Sequence, residues 1–334
     1  NFGDVTFTSS GRGAISLMLE EIGELPNKSA LLPSYICQSV VMPFVKKGYI
    51  CKFYDINPDL TPDLDSIKKA GTPGIFFHLG YFGFPTNYVL ADVVDELSSK
   101  GVVIVEDVTH TLFSGVPKFE ANDYYIASLR KWLGLPSGGV LIGAKIKLER
   151  EPSINPYFSQ LREVALLTKK HYRDRGSHFL KEKYRTYFKK AESWLNSNVG
   201  AYSMDDKSLT IINMINVEQL REKRFNNFGY LFKGLCNNPI IVPIFDLPDP
   251  ALCPFFMPVY VFCNRHNIQR FLAKEAVFCP IHWEIPFLSC FRLGNKTKGI
   301  YQNILSIPCD QRYTFSDMGR IIELLNHYSG RFME

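Results

Sequence analysis

Lys131 has the clearest chemical potential in this sequence, because it follows a predicted strand at 124–127 and has a hydroxyl group close by in the chain. A lysine amine can attack a carbonyl carbon and form an imine. Ser128 lies three residues earlier, and a pair of glycines follows at 138–139. Hydroxyl groups and glycine-rich backbone are typical of turns that bind phosphate. The alternative is that Lys131 is an ordinary surface lysine.

Asp107 places a carboxylate in a comparable position, following the apolar segment that ends at 105 and Glu106. In parallel α/β sheets, ligands bind where strands end and loops begin, so a polar residue at this point is a candidate site residue. The alternative is a structural role in forming the loop.

A third segment, TSSGRGA at 8–14, precedes the first predicted helix and contains Ser10, Gly11 and Arg12. Exposed N–H groups at a helix N-terminus bind anions, and glycine allows a close approach. The same residue types are also common in helix caps. The three segments together favour a site that combines an amine, a carboxylate and an anion-binding turn.

Short apolar runs alternate with helical stretches over the first two thirds of the chain, which predicts an α/β fold with a mainly parallel sheet flanked by helices. Strands are predicted at 30–32, 49–54, 74–78, 102–105, 124–127 and 140–143, and helices at 13–24, 39–47, 89–100, 159–196 and 217–235. The later pattern predicts a smaller C-terminal α+β domain, with strands within 240–245 and 255–263 and helices at 267–274 and 316–328. The predicted domains are 1–215 and 216–334.

The length of 334 residues predicts two domains, and a composition of 46% hydrophobic and 21% charged residues predicts a globular protein. A net charge of +5 is too small to predict a nucleic-acid partner. The eight cysteines lie far apart, without the spacing of a zinc site, so no metal is predicted and a cytoplasmic location is expected. The sequence has no run of about 18 apolar residues, so we expect no membrane partner.

Lysine and arginine are concentrated between 169 and 190, where they are interleaved with aromatic residues. A helix with a solvated basic face explains this pattern. An acidic or phosphorylated partner is the alternative, and the sequence does not decide between the two.

The order of glycine turn, Asp and Ser-x-x-Lys resembles the order of cofactor contacts in fold-type I enzymes that use pyridoxal 5'-phosphate (PLP). Among these enzymes, the chain is similar to the DegT-type aminotransferases from about Thr8 to its C-terminus. Further matches are Leu32-Pro33-Ser34-Tyr35, the segment at 45–56, His78-Leu79 with Gly83 and Pro85, Glu106-Asp107-x-x-His110, and Leu305-Ser306-Ile307-Pro308 with Tyr313 and Asp317-Met318. The resemblance implies the fold-type I architecture with its smaller C-terminal domain.

The resemblance implies catalytic roles for Lys131, Asp107 and His110. Lys131 would hold PLP as a Schiff base and act as a general base once an amino donor displaces it. Asp107 would pair with the pyridinium nitrogen and keep it protonated. His110 would contact the phenolic oxygen of the cofactor, and ordinary packing of this histidine is the alternative.

The resemblance also implies that the glycine turn and Ser128 hold the cofactor's phosphate, with Ser10, Gly11 and Arg12 contributing from the turn. Ser128 and the backbone amides would be the main donors. The Arg12 guanidinium would add a charged donor.

Two features depart from the family pattern. Cys37 occupies the cofactor-binding position at which the family usually places an aromatic ring, and Tyr35 or Tyr81 is the ring expected to compensate. The Gly-x-Asn-x-Arg motif of the sugar aminotransferases is replaced by AYSMDD at 201–206. Trp283 lies where the small domain of such enzymes approaches the substrate, and core packing is its alternative role.

The function implied by the resemblance is that of an aminotransferase, which transfers an amino group from a small-molecule donor such as glutamate to a keto-sugar or similar carbonyl compound, including nucleotide-linked sugars. A homodimer and a place in polysaccharide biosynthesis are implied in the same way. The alternatives are a non-catalytic binding or regulatory protein with the same fold, and another PLP reaction such as a lyase. Dehydratase relatives carry histidine in place of the lysine, so Lys131 disfavours that branch.

Overall fold

The computed structural model of the chain describes residues 3–330 and contains two sheets surrounded by helices. The strands are β1 (Asp4–Thr8), β2 (Ser29–Pro33), β3 (Ile50–Tyr54), β4 (Ile75–Leu79), β5 (Val103–Asp107), β6 (Tyr124–Ala127), β7 (Gly139–Gly143), β8 (Ile241–Pro243), β9 (Met257–Val261) and β10 (Ile304–Ile307). The α-helices are α1 (Gly11–Ile22), α2 (Gln38–Lys46), α3 (Leu64–Ala70), α4 (Ala91–Ser99), α5 (Tyr157–Arg175), α6 (His178–Ser197), α7 (Asp206–Asn213), α8 (Val217–Leu235), α9 (Arg265–Lys274), α10 (Asn295–Asn303) and α11 (Phe315–Gly330).

The larger sheet has seven strands in the order β1-β7-β6-β5-β4-β2-β3. Its strands from β3 to β6 pair in parallel, and β7 alone runs antiparallel to its neighbours β6 and β1. All five residues of both β2 and β4 are buried, as expected for parallel strands that are covered on both faces. The predicted mainly parallel α/β sheet is therefore confirmed.

The strand directions bring the predicted site segments to one edge of this sheet. Because β7 is antiparallel to both β1 and β6, β1 and β6 run in the same direction. The carboxyl ends of β1, β5 and β6 therefore lie at the same edge, where ligands bind in open α/β sheets. The glycine turn follows β1, Asp107 ends β5, and Lys131 follows β6.

The smaller sheet is antiparallel, in the order β10-β9-β8, and packs with helices of the C-terminal third of the chain. Val259 and Val261 of β9 and Ile304 of β10 are fully buried. This arrangement confirms the predicted smaller α+β unit, whereas the predicted division near 215 stays a prediction.

The single long helix predicted at 159–196 is wrong, because the segment forms two helices, α5 and α6. Gly176 ends α5 in the left-handed conformation, with φ of +67°, which glycine adopts readily and which reverses the chain. The helices α3, α7 and α10 are not predicted by the sequence pattern. These three helices have 7 to 9 residues each.

A buried polar network on β4 and β5 fixes which face of the sheet Asp107 occupies. Glu106 accepts hydrogen bonds from Asn122 Nδ2 at 2.8 Å and Asn87 Nδ2 at 3.3 Å. Both asparagines also contact the ring nitrogens of His78, at 3.1 Å each. Neighbouring strand residues point to opposite faces, so Glu106 in this network leaves Asp107 on the other face.

Arg224 of α8 joins the C-terminal unit to the segment after β6. Its Nη1 donates to the carbonyl oxygens of Pro254 at 3.1 Å and Phe255 at 2.8 Å, and its Nε donates to Gln311 at 2.7 Å. The guanidinium carbon lies 4.5 Å from the centre of the Trp132 ring. Because Arg224 is buried, its loss would leave these carbonyl groups without a donor and without water.

We therefore expect Arg224→Gln to lower the free energy of unfolding by about 2–3 kcal/mol, measured by urea denaturation of the apo protein. Lys223→Gln, at an exposed position one residue earlier on α8, is the matched control and should change stability by less than about 0.5 kcal/mol. Equal stability of the two variants would contradict this role.

Candidate active site

Seven of the eight residues that the resemblance assigns to cofactor binding line one cavity of about 370 Å³ at the shared edge of the sheet. They are Gly11, Arg12, Cys37, Asp107, His110, Ser128 and Lys131. The three segments that suggested a site are far apart in the sequence, and the fold brings them together.

Ser10 is the exception, because its hydroxyl caps α1. Its Oγ accepts a hydrogen bond from Gly13 N at 3.1 Å, and the first intrahelical bond runs from Ala14 N to the Ser10 carbonyl oxygen. Ser10 is buried and is not among the residues that line the cavity. The N–H groups of Gly11 and Arg12 precede the first intrahelical bond, so the helix itself does not use them.

Asp107 is a buried carboxylate that one neighbour holds in place. Thr109 N donates to Asp107 Oδ1 at 2.8 Å. Burial raises the pKa of Asp107 above its ordinary value, while the hydrogen bonds from Thr109 and the charge of Lys131 act in the opposite direction. A cation placed beside this carboxylate would favour its charged form.

Thr109 also links the ends of β5 and β6, a role that the sequence reasoning missed. Its Oγ1 accepts a hydrogen bond from Ser128 N at 2.9 Å, and its carbonyl oxygen accepts one from Trp132 Nε1 at 2.5 Å. These bonds hold residues on both sides of Lys131 in the chain. Thr109 therefore fixes the loop that carries Lys131 relative to the carboxylate of Asp107. The sequence signal for this role was its position between Asp107 and His110.

His110 is buried and is held as a neutral imidazole. Its Nδ1 accepts a hydrogen bond from Phe82 N at 3.3 Å, which leaves the ring proton on Nε2. Burial lowers the pKa of His110 well below its ordinary value, and the charge of Lys131 lowers it further. The ring stacks on Phe255 at 4.5 Å and on Trp283 at 5.3 Å between centroids. His110 can therefore donate a hydrogen bond without carrying a charge.

Trp283 is the aromatic ring that enters the cavity, and Tyr35 and Tyr81 are not among the lining residues. Lys131 Nζ lies 5.4 Å from the centre of the Trp283 ring. The two tyrosines are fully buried behind it, with Tyr35 5.1 Å and Tyr81 6.4 Å from its ring, and Tyr81 OH donates to the Tyr35 carbonyl oxygen. Cys37 lines the cavity with its Sγ 3.0 Å from Ser39 Oγ.

The end of the cavity near the glycine turn is cationic. Arg12 Nη1 donates to Asn196 Oδ1 at 2.8 Å, and Arg130 and Arg162 share Glu192, with Nη1 to Oε1 distances of 3.1 and 3.6 Å. Burial lowers the pKa of Arg162 to about 9, assisted by the charge of Arg130. Three guanidinium groups therefore face one carboxylate, and this excess of positive charge favours the binding of an anion. Arg130, Arg162 and Glu192 were not predicted, since two of them lie on α5 and α6, far from the motif in sequence.

Two N–H groups at this end of the cavity have no hydrogen-bond partner within the described chain. They are Arg12 Nε and Arg130 Nε, and both are buried. A buried donor without a partner costs free energy, and both donors belong to side chains that line the cavity. Gly11 packs closely on Ser128, because a Cβ on Gly11 would lie 3.0 Å from Ser128 Cβ. A side chain at position 11 would therefore narrow this end of the cavity.

Neither His282 nor Arg292 is among the residues that line the cavity, but the ring of His282 contacts that of His110, which does line it. His282 Nδ1 lies 2.8 Å from Ser306 Oγ, and its ring contacts those of His110 and Phe256. Burial lowers the pKa of His282 to about 3, and Lys131 contributes to the shift. Arg292 Nη1 donates to the carbonyl oxygens of Ser289 and Phe291.

The chain matches no protein-family model and no curated protein sequence. Solved structures do resemble it: aminotransferase TlmJ from Streptoalloteichus hindustanus has a TM-score of 0.72 at 18% identity, over 99% of this chain and 87% of that one. A DegT DnrJ EryC1 StrS aminotransferase from Brucella abortus gives 0.69 at 15% identity, over 98% and 87%. A putative sugar aminotransferase from Streptococcus pneumoniae, in its PLP-form, gives 0.72 at 16% identity, over 99% and 88%. The chain therefore has the fold of the DegT-type aminotransferases, as the resemblance implied.

We expect the protein to lose stability as the pH falls below about 6.5, because the folded chain keeps His78, His110 and His282 neutral whereas the unfolded chain protonates them. The sign follows from folded-state pKa values that lie below the unfolded value. Each such histidine removes about 1.4 kcal/mol of stability per pH unit within this window.

His282→Gln should therefore reduce the slope of the unfolding free energy against pH by about 1.4 kcal/mol per pH unit between pH 6.5 and about 3, which corresponds to one bound proton. Urea denaturation of the apo protein at a series of pH values measures this slope. His171→Gln, at an exposed position on α5, is the matched control. A slope in His282→Gln equal to that of the parent protein would contradict the prediction.

Proposed function

We propose that this protein is a PLP-dependent aminotransferase, which takes an amino group from a small-molecule donor and transfers it to the carbonyl carbon of a keto-sugar or similar compound. The observation that carries the proposal is that Lys131 and Asp107 line one cavity together with the glycine turn. The fold shared with aminotransferases supports it.

The residues of the cavity fit PLP at both ends of that molecule. The buried carboxylate of Asp107 suits the ring nitrogen, since a protonated ring nitrogen would supply the cation that this carboxylate lacks. The unpartnered N–H groups of Arg12 and Arg130 suit the phosphate. The Ser128 hydroxyl and the first N–H groups of α1 would add neutral donors to the same anion.

When bound, PLP supplies an aldehyde carbon and a ring that accepts electrons from a carbanion. Lys131 would attach the cofactor through its Nζ. Once an amino donor has replaced it there, the free amine of Lys131 would remove the proton from the donor's α-carbon and return a proton to the cofactor. For this work the amine must be neutral.

Asp107 would keep a proton on the ring nitrogen, and Thr109 would keep Asp107 aimed at that atom. His110 Nε2–H would donate to the phenolic oxygen of the cofactor, since Phe82 N already occupies Nδ1. Trp283 would supply the aromatic surface for the pyridine ring in place of the ring missing at Cys37. The wall of aromatic rings behind Trp283 would exclude water from the reacting atoms.

The finer parts of the proposal rest on resemblance. They are glutamate as donor, a nucleotide-linked keto-sugar as acceptor, a homodimer, a cytoplasmic location and a place in polysaccharide biosynthesis.

A non-catalytic binding or regulatory protein is the second candidate, favoured by the thiol at Cys37 and by the replaced Gly-x-Asn-x-Arg motif. Such a protein would keep the cavity without turning over a substrate. A lyase is a third candidate, and the two experiments below separate the three.

We expect the purified protein to take up PLP and to develop its visible absorption band, and we expect borohydride reduction to fix the cofactor on the peptide that contains Lys131. Lys131→Ala should abolish the band and the mass increase of that peptide. Lys147→Ala, at an exposed position, is the control and should retain both. A parent protein that stays colourless with excess PLP would contradict the enzyme proposal and support the binding protein.

Addition of glutamate to the PLP-loaded protein should convert the spectrum to that of the pyridoxamine form, which reports the first half of a transamination. Asp107→Asn should slow this conversion by at least about 10²-fold, because the ring nitrogen loses its charged partner. Stopped-flow absorbance measures the rate, and circular dichroism shows whether the variant is folded. If glutamate and other amino acids leave the parent spectrum unchanged, the aminotransferase proposal is wrong.

A further inference from the structure

The positive charge of this protein is concentrated on the distal part of the α5–α6 hairpin, which we define as residues 166–190. This segment contains nine Lys and Arg residues against two Asp and Glu residues. The rest of the chain contains 29 Lys and Arg against 31 Asp and Glu, so it has almost no net charge. The net charge of +5 therefore originates in one hairpin.

Most of these charges face solvent without a counter-ion. Eight of the nine basic side chains are exposed, and Lys181 is half-buried. Within residues 3–330, Arg185 is the one basic residue of the distal hairpin that forms an ion pair, with Glu182 at 3.6 Å. Like charges so close together repel each other and do not help folding. A partner of opposite charge would remove that repulsion.

The distal hairpin projects from the body of the protein. The last buried residue of α5 is Ala165 and the first buried residue of α6 is Ala191, and none of the residues between them is buried. The two helices pack on each other through aromatic pairs, including Tyr172 with Tyr184 at 5.5 Å and Tyr184 with Phe188 at 6.2 Å. From Ala165 to the end of α5 the helix extends about 15 Å.

The tip of the hairpin combines an exposed aromatic ring with cations. Phe179 follows the turn at Gly176 and is 71% exposed, which is unusual for a side chain of this size. Lys183 Nζ lies 5.8 Å from the centre of its ring. Arg173 and Arg175 approach the turn from the end of α5, and both are exposed. Aromatic rings among basic residues are typical of segments that enter the headgroup region of a bilayer.

We propose that the tip of the α5–α6 hairpin docks on an anionic lipid surface, with Phe179 entering the headgroup region and the surrounding lysine and arginine side chains contacting lipid phosphates. A contact of this kind needs no membrane-spanning helix. The helices described within residues 3–330 lack the length and hydropathy to span a bilayer, so the contact is peripheral. This proposal revises the sequence-based expectation that no membrane is a partner.

The geometry favours a bilayer over two other partners, a second copy of the hairpin and a nucleic acid. A second copy of the same hairpin carries the same charge and is repelled. Single-stranded nucleic acid is bound by a basic groove with several stacking rings, whereas this hairpin is a projecting rod with Phe179 and His178 as the exposed rings at its end. Because the hairpin projects from the body of the protein, its tip can contact a planar anionic surface.

The test is cosedimentation of the full PLP-loaded protein with phosphatidylcholine vesicles, with and without phosphatidylglycerol, at low and at physiological salt. We expect binding only to the vesicles that contain phosphatidylglycerol, and weaker binding at the higher salt. The double variant Arg175→Glu and Lys183→Glu should lower the partition coefficient at least about tenfold. Phe179→Ala should lower it by a factor of about three to ten at unchanged charge.

Matched controls separate the tip from general effects of charge and exposed rings. The double variant Lys68→Glu and Lys69→Glu makes the same change in charge on exposed positions of α3. Phe262→Ala removes a ring that is 69% exposed but lies at the end of β9. Both controls should retain vesicle binding. Circular dichroism shows that all variants are folded, independently of whether the protein is an aminotransferase.

Three results would overturn the proposal. The first is a parent protein that does not sediment with phosphatidylglycerol vesicles at low salt. The second is an equal loss of binding in the α3 control and the hairpin variant, which would make net charge the cause. The third is tighter binding to a single-stranded oligonucleotide than to the vesicles, with Phe179→Ala changing neither, which would identify a nucleic acid as the partner.

Discussion

The site of this protein depends on the direction of three strands. β1, β5 and β6 end at the same edge of the sheet because β7 lies antiparallel between β1 and β6. The anion-binding turn and the amine follow β1 and β6 by at most four residues, and the carboxylate is on the last residue of β5. If β1 ran the other way, its glycine turn would lie at the opposite edge, roughly 15 Å away, since a strand rises about 3.3 Å per residue. The chemistry of the cavity is thus a consequence of topology.

Burial then couples the charged groups that the topology collects. The charge of Lys131 acts to lower the pKa of Asp107, His110 and His282, and burial of these three groups strengthens the effect. The C-terminal unit contributes Phe255 and Trp283 to this enclosure, and Arg224 holds the segment of Phe255 in place. The enclosure of the cavity in the larger unit therefore depends on how the smaller one packs against it. The hydrogen bonds of Thr109 maintain the spacing of the polar groups inside.

The α5–α6 hairpin has two ends with different environments. Its base supplies Arg162 and Glu192 to the cavity, and Asn196 there accepts a hydrogen bond from Arg12. Its distal part carries most of the uncompensated charge of the molecule into solvent. A contact made at the tip would act on helices whose other end borders the cationic part of the cavity. The same hairpin could therefore couple a contact at its tip to the arrangement of the cavity at its base.

The sequence by itself determined six of the seven strands of the larger sheet, all except β1, and the polar residues at their ends, because both depend on local patterns. The apolar segment at 102–105, which lies largely within β5, and the residues Asp107 and Lys131 could be identified from their neighbours in the chain. Tertiary structure decided what those patterns do not contain. It assigned Ser10 to a helix cap and brought Trp283 into the cavity while Tyr35 and Tyr81 packed behind it. It also placed Arg162 and Glu192 beside Arg130, since contacts between distant segments arise from packing and from the pairing order of strands, which no local pattern specifies.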